Sequence, residues 1–122
     1  MNDPFNQELP HKDEAERTVL GAMLQSRAAI DEARQKITEN DFYQPNNKTI
    51  YRLICDLSDQ HGDVDTTLLC MTLTERKMLD HVGGLNYVGK LIDYAPTTSN
   101  VGIYADMVKD AAKRRDIIAI GT

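Results

Sequence analysis

The chain has 122 residues, 41% of them hydrophobic and 27% charged, proportions ordinary for one globular domain. A domain of this size buries about two-thirds of its unfolded surface in a single core. Fourteen basic residues against nineteen acidic ones leave a net charge of −5, the wrong sign for neutralising phosphates, so little or no DNA binding is expected of the domain alone.

The chain opens on MNDPFNQELP, which lacks the basic start and apolar stretch of a secretory signal. Residues 1–10 read as a disordered lead-in to a cytoplasmic protein. No apolar run approaches the ~20 residues needed to cross a bilayer, so no membrane partner is expected. His11, His61 and His81 are far apart, and Cys55 and Cys70 lack a CxxC partner. Those spacings make neither a metal site nor a disulfide scaffold, and the thiols read as buried.

From Asp13 onward helical spacing dominates the chain. In EAERTVLGAMLQ, Ala15, Val19 and Ala22 recur at four and three, with Leu20 and Leu24 widening the stripe. Asp13 is placed to cap this helix, with Glu16 closing a capping box. Gly21 inside it costs about 1 kcal/mol against alanine, which a close helix crossing would explain. A second helix is expected from about Ala28 to Ile37, with Ile30, Ala33 and Ile37 on one side. TENDFY breaks the pattern, and its aromatic pair Phe42 and Tyr43 reads as a core plug. Pro45 suits a first helical turn. Ile50, Leu53, Ile54 and Leu57 then follow at helical spacing, and Gly62 is the stop.

Asp65 is a natural N-cap for TTLLCMTLTER, whose inner face is Leu68, Leu69 and Leu73. Asp63 and Asp65 resemble the start of a calcium loop, but the third acidic ligand and the central glycine are missing. Gly83 and Gly84 form a turn into a helix from Leu85 to about Tyr94. There Leu85, Val88 and Ile92 make one stripe, and Tyr87, Leu91 and Tyr94 an adjacent one. Pro96 ends that helix. Ser99 or Asn100 caps a last one, striped by Val101, Tyr104, Ala105, Val108 and Ala112. No strand, repeat or low-complexity segment is evident. The expected fold is all-α, a compact orthogonal bundle of about six helices.

GLNYVGKL comes close to a phosphate-binding loop, and a small nucleotide-binding enzyme using Lys90 is one alternative reading. Such a loop needs a hydroxyl after the lysine for magnesium, and a buried strand before the glycines. Here Leu91 stands in the hydroxyl position and MLDHVG is no strand. An amphipathic helix accounts for more of the same residues.

At the end of the chain, KRRDIIAIGT places Ile117, Ile118, Ala119 and Ile120 around much of a helix. Such coverage needs a second surface: a returning helix, a neighbouring subunit, a partner, or this domain's own core. Lys113, Arg114 and Arg115 read as complementing the helix dipole, in preference to contacting nucleic acid.

Several segments, in order, resemble a known family: EAERTVLGAML, NDFY, IYRLICDL, GDVDTTLL, LDHVGGLNYVGKL, APTTSNVGIYADMV and RRDII. Their series from Pro10 onward is similar to the N-terminal domain of the DnaB-type replicative DNA helicases. The departures are Asn47, where many members carry histidine, and Gly89 within its helix. The resemblance implies a helical head without ATPase activity or a cofactor of its own. It is followed by a linker helix and a RecA-like motor that uses ATP and magnesium. Residues 11–98 would be the head, and 99–122 the start of a C-terminal helical hairpin or linker. The heads would form a collar on a hexameric ring by self-association and bind the primase C-terminal domain, and in some systems a helicase loader. By motif position the partner contacts are Tyr87 and Ile118, to which the apolar excess adds Ile117. The bland reading of Tyr87 is a buried ring with an exposed hydroxyl. A free-standing adaptor that competes for primase is a further alternative.

Overall fold

The computed structural model describes residues 9–120; the first eight residues of the expected lead-in, and Gly121 and Thr122, lie outside them. Six α-helices follow in chain order: α1 (Asp13–Met23), α2 (Arg27–Lys36), α3 (Pro45–His61), α4 (Thr66–Glu75), α5 (Gly84–Lys90) and α6 (Val101–Ile120). Short 3₁₀ turns at Glu39–Asp41, Asp80–Val82 and Leu91–Tyr94 redirect the chain between them. No strand occurs among the described residues.

α1 is the central helix, packed by α2, α3, α6 and the Leu91–Tyr94 turn. Of its eleven residues, eight are buried, which explains its apolar run from Val19 to Met23. Gly21 is where the Leu91–Tyr94 turn crosses. A Cβ there would collide with the Leu91 carbonyl oxygen, lie 2.9 Å from its carbon and 3.4 Å from the Ala95 Cβ. The close crossing offsets the glycine's helical penalty.

The expected stripes of α2 and α3 form the core around α1. Ile30, Ala33, Ile37, Ile50, Leu53, Ile54 and Leu57 are all buried. Ser26 caps α2 through its hydroxyl, 3.3 Å from Ala29 N. Pro45 opens α3 and Gly62 closes it at φ +88°, a backbone that L side chains rarely adopt. Asp65 caps α4 as expected, its carboxylate 2.8 Å from Leu68 N, and Leu69 and Leu73 are buried while Leu68 is half-buried. Phe42 plugs the core at 1% exposure. Tyr43 does not; it is half-buried at the surface, stacked on His11 at 4.2 Å between ring centroids.

Three local expectations are corrected. Asp13 is the first residue of α1, not its cap. No side chain caps that end, and the Asp13 carboxylate pairs with His11 at 2.7 Å and Gln44 at 3.0 Å. Glu16 likewise closes no capping box but turns into the core. On α5 the inner residues are Val88 and, in the following turn, Leu91, both fully buried. Leu85 and Ile92 face outward, at 61% and 38% exposure. The helix tightens to 3₁₀ after Lys90, so its angular spacing changes from 3.6 to three residues per turn and Leu91 takes the core position.

Candidate partner interface

In GLNYVGKL the first seven residues form α5 and Leu91 opens the 3₁₀ turn that follows. A 3₁₀ turn also precedes the helix, where a phosphate loop would have a buried strand. Gly83 and Gly84 make the turn at φ +113° and +84°, and Gly89 and Lys90 are exposed at the far end of the helix. No group of metal-ligating side chains occurs among the described residues, and no helix among them is long and apolar enough to cross a membrane.

Tyr87 is held at both ends. Its ring lies over Gly83, where an added Cβ would come within 2.9 Å of the Tyr87 Cγ. Its hydroxyl donates to the Oδ1 of Asn47, so the expectation of a solvent-facing hydroxyl is corrected. Burial pushes the phenol above its ordinary range, against the opposing charge of Arg17 and hydrogen bonds with Asn46 and Asn47. The Arg17 guanidinium also lies 4.9 Å over the Tyr94 ring. Around Tyr87 the same segment exposes Leu85, Ile92 and Tyr94.

α6 carries the second apolar surface. One face packs on the head through Val101, Gly102, Ala105, Val108, Ala111 and Ala112, all buried. The opposite face exposes Ile103 at 56%, Met107 at 43% and Ile117 at 69%, flanked by Ile118 at 42%. Positions 103, 107, 110, 114 and 117 recur at four and three, the spacing of a helix–helix seam. An ion pair sits in its middle, Arg114 to Asp110 at 3.0 Å. The structure therefore keeps Ile117 and Ile118 on one surface, while Tyr87 lies on a different helix.

Sequence reasoning missed the part played by Arg115. It donates to the carbonyls of Pro10 at 2.9 Å and Asp41 at 2.7 Å, and its guanidinium lies 5.3 Å over the Tyr43 ring. Earlier on the same helix, Lys109 pairs with the Asp41 carboxylate at 3.3 Å. The dipole reading of Lys113, Arg114 and Arg115 is corrected, since no basic residue lies in the last turn of α6. Arg115 braces the helix against the chain entry, and Arg114 serves the seam. Nothing local in the sequence marks this role, since Pro10 and Asp41 lie 105 and 74 residues from Arg115.

Residues 8–110 match the DnaB-like helicase N terminal domain. The chain belongs to that family. It is 33% identical over 121 residues to the replicative DNA helicase DnaB of Mycobacterium leprae, covering 99% of this chain and 20% of that protein. With the replicative DNA helicase DnaB of Treponema pallidum it shares 37% identity over 111 residues, 91% of this chain and 25% of that protein. The chain thus spans a fifth to a quarter of the length of these relatives. The crystal structure of the N-terminal domain of DnaB helicase from Mycobacterium tuberculosis superposes with a TM-score of 0.89 at 33% identity, over 93% of this chain and 83% of that one. The all-α fold read from helical spacing is that of the DnaB N-terminal domain.

Proposed function

We propose that this chain is the N-terminal collar domain of a hexameric replicative DNA helicase, working in the cytoplasm at DNA replication. It supports ring assembly by self-association and offers a surface to the primase C-terminal domain, and in some systems to a helicase loader. ATP and magnesium chemistry belongs to a RecA-like motor, outside these residues. The observation that carries the reading is the outward face of α6, whose exposed Ile103, Met107, Ile117 and Ile118 make an apolar stripe, interrupted by the Arg114–Asp110 ion pair, on a helix already packed on its other side. An isolated stripe of this kind gains by being covered, since burying one isoleucine is worth about 1.5–3 kcal/mol. The exposed Leu85, Ile92 and Tyr94 beside Tyr87 form the surface assigned to primase.

Sedimentation velocity over a range of concentrations, with and without the cognate primase C-terminal domain, tests both parts. The expected result is concentration-dependent association and a further shift on adding primase. A monomer at every concentration that ignores primase would discard the reading.

A further inference from the structure

A carboxylate at 1% exposure needs hydrogen-bond donors, because a buried charge without them costs several kcal/mol. Glu16 finds three, and none is a cationic side chain: Tyr43 N at 2.7 Å, Gln44 N at 3.3 Å and Asn47 Nδ2 at 3.0 Å. The acceptor-only carboxylate dictates which way the next amide faces. Asn47 must turn its NH₂ to Glu16, which leaves its oxygen toward α5, where it accepts the Tyr87 hydroxyl. The bonds therefore converge on Glu16: donation runs from the phenol to Asn47 and from Asn47 to the carboxylate, which also accepts from the backbone N–H groups just before α3. Asn47 has no exposed surface, so it cannot itself touch a partner.

We infer that Asn47 is a positioning residue for the partner face of α5: together with the Gly83 contact it holds the Tyr87 ring in one pose, set by the buried Glu16 carboxylate. This rests on the reading that Tyr87 belongs to the surface that binds primase. A side chain already ordered before binding loses less rotamer freedom on association. Asn47 thus contributes to affinity from inside the core.

The test compares Tyr87→Ala, Tyr87→Phe and Asn47→Ala in this chain. Titration calorimetry with the cognate primase C-terminal domain is run at a temperature where circular dichroism shows each variant folded. NMR contacts between the Tyr87 ring and Gly83 are measured alongside, without primase. Asn47→Ala is expected to weaken binding about tenfold, a difference of ~1.4 kcal/mol, and to lose or average the ring contacts to Gly83. Combined with Tyr87→Ala it should add little, because the two act as one unit. Tyr87→Phe keeps the ring, removes the hydroxyl and with it the bond to Asn47, and should weaken binding in the same direction; it carries the test if Asn47→Ala does not fold. Unchanged binding in Tyr87→Ala would discard the primase surface, and the inference with it. Weakened binding in Tyr87→Ala, with affinity unchanged in both folded Asn47→Ala and Tyr87→Phe, would overturn the inference alone.

Discussion

The two halves of α6 are equally helical and meet opposite surroundings. From Val101 to Ala112 the helix presents small residues, and six of them are buried. Gly102 sits so close to α2 that an added Cβ would lie 3.3 Å from the Glu32 Cδ and 3.4 Å from the Lys36 Cε. From Lys113 onward no residue is buried among those described, although three of the last four are isoleucines. Ile120 stands at 86% exposure. A helical extension of eight residues is marginal by itself; here it continues a packed helix and is braced by Arg115. The difference teaches that side-chain size, not hydrophobicity, marks where α6 packs on the head. Small residues admit α1 and α2, and the bulky isoleucines are left for another surface.

The most damaging way to break this comparison is to place a charge in the first half. Ala105 has no exposed surface, so Ala105→Asp buries a carboxylate with no donor and should cost more than about 3 kcal/mol. Total stability for a domain of this kind is about 5–15 kcal/mol. Urea denaturation followed by circular dichroism should show a midpoint shifted far down, or no folded baseline. A shift of less than about 1 kcal/mol would mean that α6 does not pack as described.

Next in size is Glu16→Ala, which strands three donors at the α1–α3 junction. Hydrogen bonds to charged groups contribute about 1.5–3 kcal/mol each, not additively, and an expected loss of about 3 kcal/mol is measurable by the same titration. A loss under about 1 kcal/mol would show that water replaces the carboxylate. Glu16 also marks the boundary of what was legible from sequence. Stripes, Pro45, Gly62 and Asp65 act through neighbours within a turn or two, and each was readable. Glu16 serves amides 27 and 28 residues away, so only a pairing of elements reveals it, and the local capping pattern with Asp13 pointed elsewhere. The outward placement of Ile92 stayed hidden for a related reason. A stripe drawn at one angular spacing fails where α5 tightens after Lys90. Ile117 and Ile118 were legible as an excess of apolar surface because no inner position at that end of the helix remained for them. Arg115 looked like one of three equivalent charges until the fold brought Pro10 and Asp41 beside it.

A smaller effect, set by pH, belongs to the packed core of α3. The Tyr51 hydroxyl donates to the Ile37 carbonyl at 2.8 Å, and burial first of all pushes its phenol well above the ordinary range. Burial pushes the neighbouring Cys55 thiol up as well, against the Arg34 charge. A group whose pKa is raised in the fold stabilises fully below its unfolded value and loses that contribution as pH rises through it. Stability should therefore be level through neutral pH, then decline from about 8.5 for the thiol and about 10 for the phenol. Tyr51→Phe should flatten the upper part of the decline while costing about 1 kcal/mol at neutral pH for the lost hydrogen bond. Melting temperatures between about pH 7 and 11 would show it. An unchanged alkaline limb in Tyr51→Phe would remove Tyr51 as its cause.

The smallest effect on stability belongs to Ile117→Asp, and it is the one that decides what the second half of α6 is for. At 69% exposure the side chain leaves little apolar area to lose, so the head should melt within about 0.5 kcal/mol of the parent. The same change sets a carboxylate into the seam beside Arg114, where a covering helix would have to desolvate it. If self-association uses this face, a two-fold contact meets the change on both sides, and the dissociation constant should rise by at least about tenfold, or ~1.4 kcal/mol. Sedimentation and thermal melts on one preparation separate the outcomes. Lost association with unchanged melting assigns the isoleucines to an interface. Lost stability with unchanged association would instead mean that the end of α6 folds back on its own head, and the contrast between the two halves would disappear.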